Sequence, residues 1–340
     1  MWSSLLLLLQ AAPAVAPSPA PARWVLVYAG ADRPEHTTYT ISHFTRLLAH
    51  VDSAGRPAYW QSTGAIFLNL YAPSGRVFTT WIGGVPANGA DWLEYADSLF
   101  APGGVLSRLN SAVALASATL GPPPDPIRVS IMVPYPEPKA GTLSFGGKRY
   151  NLRTVDGRVG AATAYIADVE QRFRGAGHPR LRLDGFYWLF ETMPSSDAGV
   201  VSRVAREVHA RGLRFSWIPY YDAEGWERWH ELGFDDAWLQ PNYFFSRDVP
   251  PTRLDSAAAR AVQRGMGLEI EFDGRLLATP GFGDRLGPYL EVLQRYPQLR
   301  ARSIALFEGG GALLELSGSL LPADRLRYEQ LGQALRWSGP

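Results

Sequence analysis

The stretch LRLDGFYWLFE, residues 181–191, decides how the fold is read. It has the make-up of a buried strand, yet after Gly185 it runs through Phe186, Tyr187 and Trp188 and stops on a carboxylate, Glu191. Seven other short runs rich in β-branched and aromatic residues accompany it: WVLVYAG (24–30), AIFLNLYAP (65–73), IRVSIMVPYP (127–136), LRFSWIPYYDA (213–223), DAWLQPNYFF (236–245), GLEIEFD (267–273) and SIALFEGGG (303–311). Helical spacing occupies 42–50, 91–99, 103–119, 160–174, 197–211, 225–232, 252–264, 284–296 and 322–336. Eight strand–helix units in about 310 residues describe one (β/α)8 TIM barrel of the α/β class.

A doubly wound sheet would carry G-x-G-x-x-G or G-x-x-x-x-G-K after its first strand. Neither occurs there, and the GGG at 309–311 follows the last strand instead. Residues 23–340 are therefore expected to form a single barrel domain, with 30–41, 72–90 and 136–159 as loops over one face. Residues 1–22 read as a leader: a short Leu run, then small residues with A-x-A patterns at Ala14–Ala16 and Ala20–Ala22, as in a secretory signal. A secreted, periplasmic or cell-surface protein is the expectation. The Leu run lacks a preceding Lys or Arg and Pro17 follows the first candidate cleavage site, so a disordered Ala/Pro leader is the alternative. The run is too short to span a bilayer, and no membrane span is expected in the mature chain.

With 33 basic against 32 acidic residues the net charge is +1, which leaves no broad field to hold nucleic acid or an anionic membrane. The expected partner is neutral. Aromatics make up 12% of the chain, with 11 Trp and 15 Tyr, an excess suited to stacking on sugars. Cysteine is absent, which removes disulfides, thiolate metal sites and Cys nucleophiles. The six His, at 36, 43, 50, 178, 209 and 230, fall in helices or loops rather than at strand ends, so no His-built metal site is expected, while a carboxylate-bound Ca²⁺ stays open. No G-x-S-x-G serine motif occurs. No cofactor is expected, and the chain is expected to be a monomer.

In such a barrel the chemistry sits where each strand hands its side chains to a loop at its carboxyl end. Those ends collect acids and aromatics: Tyr135 and Glu137, then Tyr187, Trp188 and Glu191, then Tyr220, Tyr221 and Asp222, then Gln240, Asn242 and Tyr243, and last Glu308. In GLEIEFD, Glu269, Glu271 and Asp273 alternate with Leu268, Ile270 and Phe272, which points the acids at the barrel axis. A buried carboxylate without partners is costly, so these acids are either ion-paired, for instance with Arg214 or Arg182, or functional.

Beside Tyr187 and Trp188 an apolar wall would raise the pKa of Glu191 and keep it protonated as a general acid, with Glu271 across the mouth as the ionised carboxylate. Two acids in unlike surroundings are what glycoside hydrolysis requires. Gln240 and Asn242 are candidates to bind sugar hydroxyls, Trp188, Tyr221, Trp238 and Tyr243 to stack on sugar rings or pack in the core, and Tyr187, Asp222, Glu269 and Glu308 complete the expected substrate site.

The motifs LDGFYWLFE, WIPYYDAEGWERWHELGFDDAWLQPNYFF, GMGLEIEFDG, GADWLEYADSLFAPGGVLSRLNSAV and IMVPYPEP, in that order of weight, resemble domain of unknown function 4855 over nearly everything after the leader. The resemblance implies a barrel similar to glycoside hydrolases and no proven activity. More distantly the chain resembles the clan of retaining glycosidases, whose acid/base follows the fourth strand and whose nucleophile follows the seventh; that implies those roles for Glu191 and Glu271. The clan's Asn-Glu pair is Phe190-Glu191 here, so its usual partner for the sugar 2-hydroxyl is missing or supplied elsewhere. The expected activity is a glycoside hydrolase on a poly- or oligosaccharide. The alternatives are a glycan-binding barrel without catalysis and a structural surface protein.

Overall fold

The computed structural model describes residues 23–30, 38–278 and 282–336; the leader at 1–22 and His36 lie outside them. Eight strands run parallel and close into a ring: β1 (Arg23–Tyr28), β2 (Gly64–Leu68), β3 (Ile127–Val133), β4 (Leu181–Trp188), β5 (Arg214–Trp217), β6 (Asp236–Leu239), β7 (Gly267–Asp273) and β8 (Ile304–Gly309). Each pairs with its neighbours in chain order, and β8 returns to β1. All eight expected strands are present, seven of them shorter at the carboxyl end and β7 with the bounds expected. β5 and β6 stop ahead of Pro219 and Pro241, which have no N–H to extend a ladder.

Register decides which side chains enter the ring. Trp24 of β1 and Trp238 of β6 meet edge-on with centroids 6.0 Å apart, although these strands are not neighbours, so both point inward. Following the pairings from Trp24 carries the inward phase to Gly64, Arg128, Ala305 and Glu269, and four residues on along β1, β2 and β3 to Tyr28, Leu68 and Met132, the last level with Tyr187. Glu271 lies level with Phe307 in that phase, and Phe307 meets Tyr28 edge-on at 5.5 Å.

The opposite phase of β4 and β5, Phe186, Trp188, Phe215 and Trp217, is fully buried against the helical layer. At the amino-terminal end of the ring, Arg214 pairs with Asp236 at 2.7 Å and approaches Asp184 at 4.0 Å, while Arg182 pairs with Asp184 at 3.3 Å. The two arginines that could have neutralised the acids of β7 are engaged there instead.

β4 holds a local irregularity. Pairing of β3 with β4 steps from Val129–Leu183 to Ser130–Gly185, which leaves Asp184 as an extra residue, a β-bulge. The bulge flips the phase, so that Tyr187 rather than Trp188 faces the axis. Gly185 itself is required by close approach: a Cβ there would lie 1.9 Å from the Arg214 carbonyl oxygen.

Most helices follow the expected spans, but the one expected over 42–50 ends at Leu48, with Ala49–Val51 pairing antiparallel to Pro57–Trp60, and Pro297–Ala301 and Ala312–Gly318 are further helices. Residues 225–232 form only a 3-10 turn, Trp226–Arg228, because Gly225 and Gly233 adopt φ of 78° and 95° and cut the segment short. The insertion at 136–159 contains an antiparallel hairpin, Thr142–Phe145 with Lys148–Asn151, and its end is already the first turn of the helix Val155–Gly175, capped by the Thr154 hydroxyl. By length and composition Gly89–Leu120 is apolar enough to cross a membrane; it is divided into the helices Gly89–Phe100 and Val105–Leu120, whose Trp92, Tyr95, Leu99, Leu106 and Leu109 are buried in the core.

Gly185→Ala should destabilise the fold by about 1–3 kcal/mol or more, as overpacking against a backbone carbonyl does. Chemical denaturation checks this; an unchanged midpoint would show that β5 can move aside.

Candidate active site

Three glutamates meet at the carboxyl end of the ring. Glu269 and Glu271 come from successive inward positions of β7 and are each 2% exposed. Glu191 follows β4 and is partly open at the mouth, with the chain around it held from β5: the Trp217 indole N–H donates to the Phe190 carbonyl at 2.8 Å, and the Tyr220 N–H to the Glu191 carbonyl at 3.3 Å. Tyr28 of β1 and Tyr187 of β4 complete the cluster, since the charges of Glu191 and Glu269 act on both phenols.

A chain of side-chain amides ties the outer two acids together. Gln240 hydrogen-bonds Glu191 and accepts from Asn242 Nδ2 at 2.9 Å, which fixes its amide with the NH₂ toward Glu191. Asn242 Nδ2 also reaches Glu271 Oε1 at 3.5 Å, and its Oδ1 accepts from the Tyr221 N–H at 2.8 Å. Asn242 is the one residue other than glycine with positive φ among the described residues, at 47°, a conformation asparagine tolerates best. Glu271 Oε2 accepts from the Tyr289 hydroxyl at 2.8 Å and from the Tyr243 N–H at 3.3 Å.

Burial dominates the titration of all three acids. It pushes Glu191 up to about 7, against the Gln240 hydrogen bond. Burial likewise pushes Glu271 up to about 7; its donors from Tyr289 and Tyr243 act against that, and the charge of Glu191 adds to it. Glu269 goes well above the carboxylate range, through burial first and then the charges of Glu271 and Glu191. Its Oε1 is buried without a hydrogen-bond partner. Among the described residues no cation is paired with these three groups, and no three His, Asp or Glu are grouped to hold a metal.

Of the residues singled out by sequence, Glu191, Glu271, Tyr187, Gln240, Asn242 and Glu269 converge on this mouth. Others do not. Trp188 is fully buried on the helical side, edge-on to Tyr135 and Phe215, so the wall beside Glu191 is made by Tyr28 and Tyr187 instead. Tyr221 carries the guanidinium carbons of Arg253 and Arg260, each 4.0 Å from its ring centroid, and Tyr243 carries Arg285 at 3.7 Å; both rings are buried, and neither offers a free face to a sugar.

Asp222 is turned to solvent beside Arg260, at 3.6 Å. Glu308 lies level with Phe272 in the outward phase, 3.3 Å from His43 of the Ile41–Leu48 helix, and its Oε2 accepts from the Leu313 N–H at 3.0 Å. It ties wall to helix and is no part of the mouth. Asp273 pairs with Arg275 at 2.8 Å, and Trp238 is core.

Sequence reasoning missed Tyr28 and Tyr289. Tyr28 ends β1 in the inward phase and was open to the same strand-end logic as the acids. Tyr289 lies in the Leu286–Arg295 helix, where nothing in the sequence marks its hydroxyl as a partner for β7.

The sequence profile of the family described as domain of unknown function (DUF4855) matches residues 23–333. No curated protein matches the chain. Similar solved structures include a mutant tryptophan synthase α-subunit of Pyrococcus furiosus, 12% identical over 93% of this chain and 98% of that one with a TM-score of 0.43. They also include the GH18 chitinase ChiB of Flavobacterium johnsoniae, 12% identical over 92% and 95% at 0.43, and the intracellular xylanase TsXylA of Thermoanaerobacterium saccharolyticum, 7% identical over 73% and 78% at 0.42.

A raised carboxyl pKa means the folded state holds its proton more tightly than the unfolded one, so stability is greatest below the ordinary value of 4.5 and falls as pH rises through neutrality. Glu269→Gln, which mimics the protonated acid, should therefore raise the melting temperature at pH 7 and change it little near pH 4. Thermal melting across that range checks it; a loss of stability at pH 7 would mean the carboxylate is held charged.

Proposed function

The chain belongs to the DUF4855 family, and from its barrel mouth we propose that it is a glycosidase acting on a poly- or oligosaccharide through Glu191 and Glu271. The observation that carries this reading is the juxtaposition of two carboxyls from the ends of β4 and β7, linked through Gln240 and Asn242 and both raised to about 7, with neither ion-paired to a cation among the described residues. A binding surface has no need of acids held near their titration point.

The roles follow from the donors. Glu271 collects hydrogen bonds from Tyr289, Tyr243 and Asn242, which favour its ionised form, whereas Glu191 has Gln240 alone beside two phenols. The charge of Glu191 raises Glu271 further, so the working state places a single charge on the better-supplied Glu271 and the proton on Glu191. Glu191 then protonates the leaving oxygen while Glu271 attacks or stabilises the anomeric carbon, or activates water. Glu269 stays neutral beneath them and keeps a third charge out of the site. Phe190, where the retaining clan has asparagine, stacks on Tyr135 at 4.2 Å and cannot bind a hydroxyl, so Gln240, between the two acids, takes that part. We propose secretion as well, on the leader read at residues 1–22, where a short Leu run precedes small residues in A-x-A patterns.

Glu191→Gln and Glu271→Gln should each lower kcat by about 10²-fold or more on the polysaccharide that the wild type cleaves, with melting temperatures equal or higher. Since activity requires one acid protonated and the other ionised near pH 7, the profile of kcat/KM should be a narrow bell about neutrality whose alkaline limb disappears in Glu191→Gln. Calorimetric binding of a polysaccharide that the wild type never cleaves would replace the hydrolase with a binding barrel.

A further inference from the structure

We propose that Trp81 and Tyr220 form a stacking platform for the sugar ring on the leaving-group side of Glu191, so that the substrate is held by rings on both sides of the bond to be broken; this rests on the hydrolase reading of Glu191. Trp81 is 51% exposed, an unusual place for the largest apolar side chain. Its indole is not loose. It stacks on the Tyr220 ring with centroids 4.9 Å apart and planes 19° from parallel, so the phenol backs one face while solvent reaches the indole. A flat, exposed and rigidly backed aromatic face is what the C–H face of a pyranose requires.

The turn that carries Trp81 is anchored. Thr80 hydrogen-bonds through its hydroxyl to the Glu137 carboxylate, the Tyr135 N–H donates to the Phe78 carbonyl at 3.0 Å, and the Gly83 N–H closes the turn on the Thr80 carbonyl at 2.9 Å. Gly83 and Gly84 leave the turn with φ of 81° and 99°, which other residues adopt only under strain.

Topology sets where this platform stands. Glu137 follows β3 and Tyr220 follows β5, and β4, which bears Glu191, lies between those strands in the ring. The Tyr220 N–H is itself bonded to the Glu191 carbonyl at 3.3 Å. Seen from Glu271 on β7, the platform is therefore beyond Glu191. Glu191 delivers its proton to the oxygen that departs, so the ring attached to that oxygen on the far side is the one that meets Trp81.

The test compares Trp81→Ala and Trp81→Phe with wild type on soluble gluco-, xylo-, malto- and chito-oligosaccharides and on the matching glycosyl fluorides, whose leaving group has no ring. For the oligosaccharide cleaved, Trp81→Ala should lower kcat/KM at least tenfold more than for the fluoride, and Trp81→Phe should recover most of the loss. Equal losses on both substrates would overturn the proposal. Calorimetry on Glu191→Gln separates the platform from the chemistry: adding Trp81→Ala should weaken oligosaccharide binding at least tenfold. Undiminished binding, or no binding of any of these sugars to Glu191→Gln, would also overturn it. If the wild type binds but cleaves none, while Trp81→Ala abolishes binding, the hydrolase reading falls and the sugar platform stands.

Discussion

A closed parallel ring gives each side chain of a strand two destinations, the axis or the helical layer, and the choice alternates along the chain. Everything at the mouth depends on that phase. β7 places Glu269 and Glu271 on the axis and Leu268, Ile270 and Phe272 behind, while β8 does the reverse with its acid, placing Phe307 inside and Glu308 against His43. β4 reaches the right phase only because the bulge at Asp184 shifts it by one residue, a shift that Gly185 accommodates by lying against the backbone of β5.

That arrangement creates an electrostatic problem which the described residues answer without a paired cation. Three carboxyls share an interior from which water is largely removed, and burial alone drives all three toward the protonated form. Arg182 and Arg214 are spent at the opposite end of the ring on Asp184 and Asp236. What separates the three glutamates is the supply of neutral donors: Glu271 has a phenol, a backbone N–H and an amide, Glu191 has one amide, and Glu269 Oε1 has none. Chemically identical groups are thereby set apart by their surroundings, Glu269 above Glu191 and Glu271.

The rim outside that cavity divides its aromatics by the same accounting of faces. Tyr221 and Tyr243 are covered by guanidinium groups and brace the loops after β5 and β6, whereas Trp81 keeps a face open because Tyr220 supports it from one side only. An aromatic at the end of a barrel strand is thus as often a brace as a contact surface.

The barrel and the inward acids of β7 were legible in the chain alone, because eight apolar runs with intervening helical spacing admit few closures and strict alternation in GLEIEFD assigns its own faces. Local pattern carries that information. It could not say that Trp188 turns away from the site, since the bulge that reverses β4 is a property of its pairing with β3. Nor could it place Glu308 with His43, Tyr289 on Glu271, or Trp81 on Tyr220, contacts between residues separated by tens to hundreds of positions. Which residues alternate is written in sequence; which phase faces the axis, and which distant group meets each acid there, is settled only when the ring closes and register becomes a single geometric constraint on all eight strands.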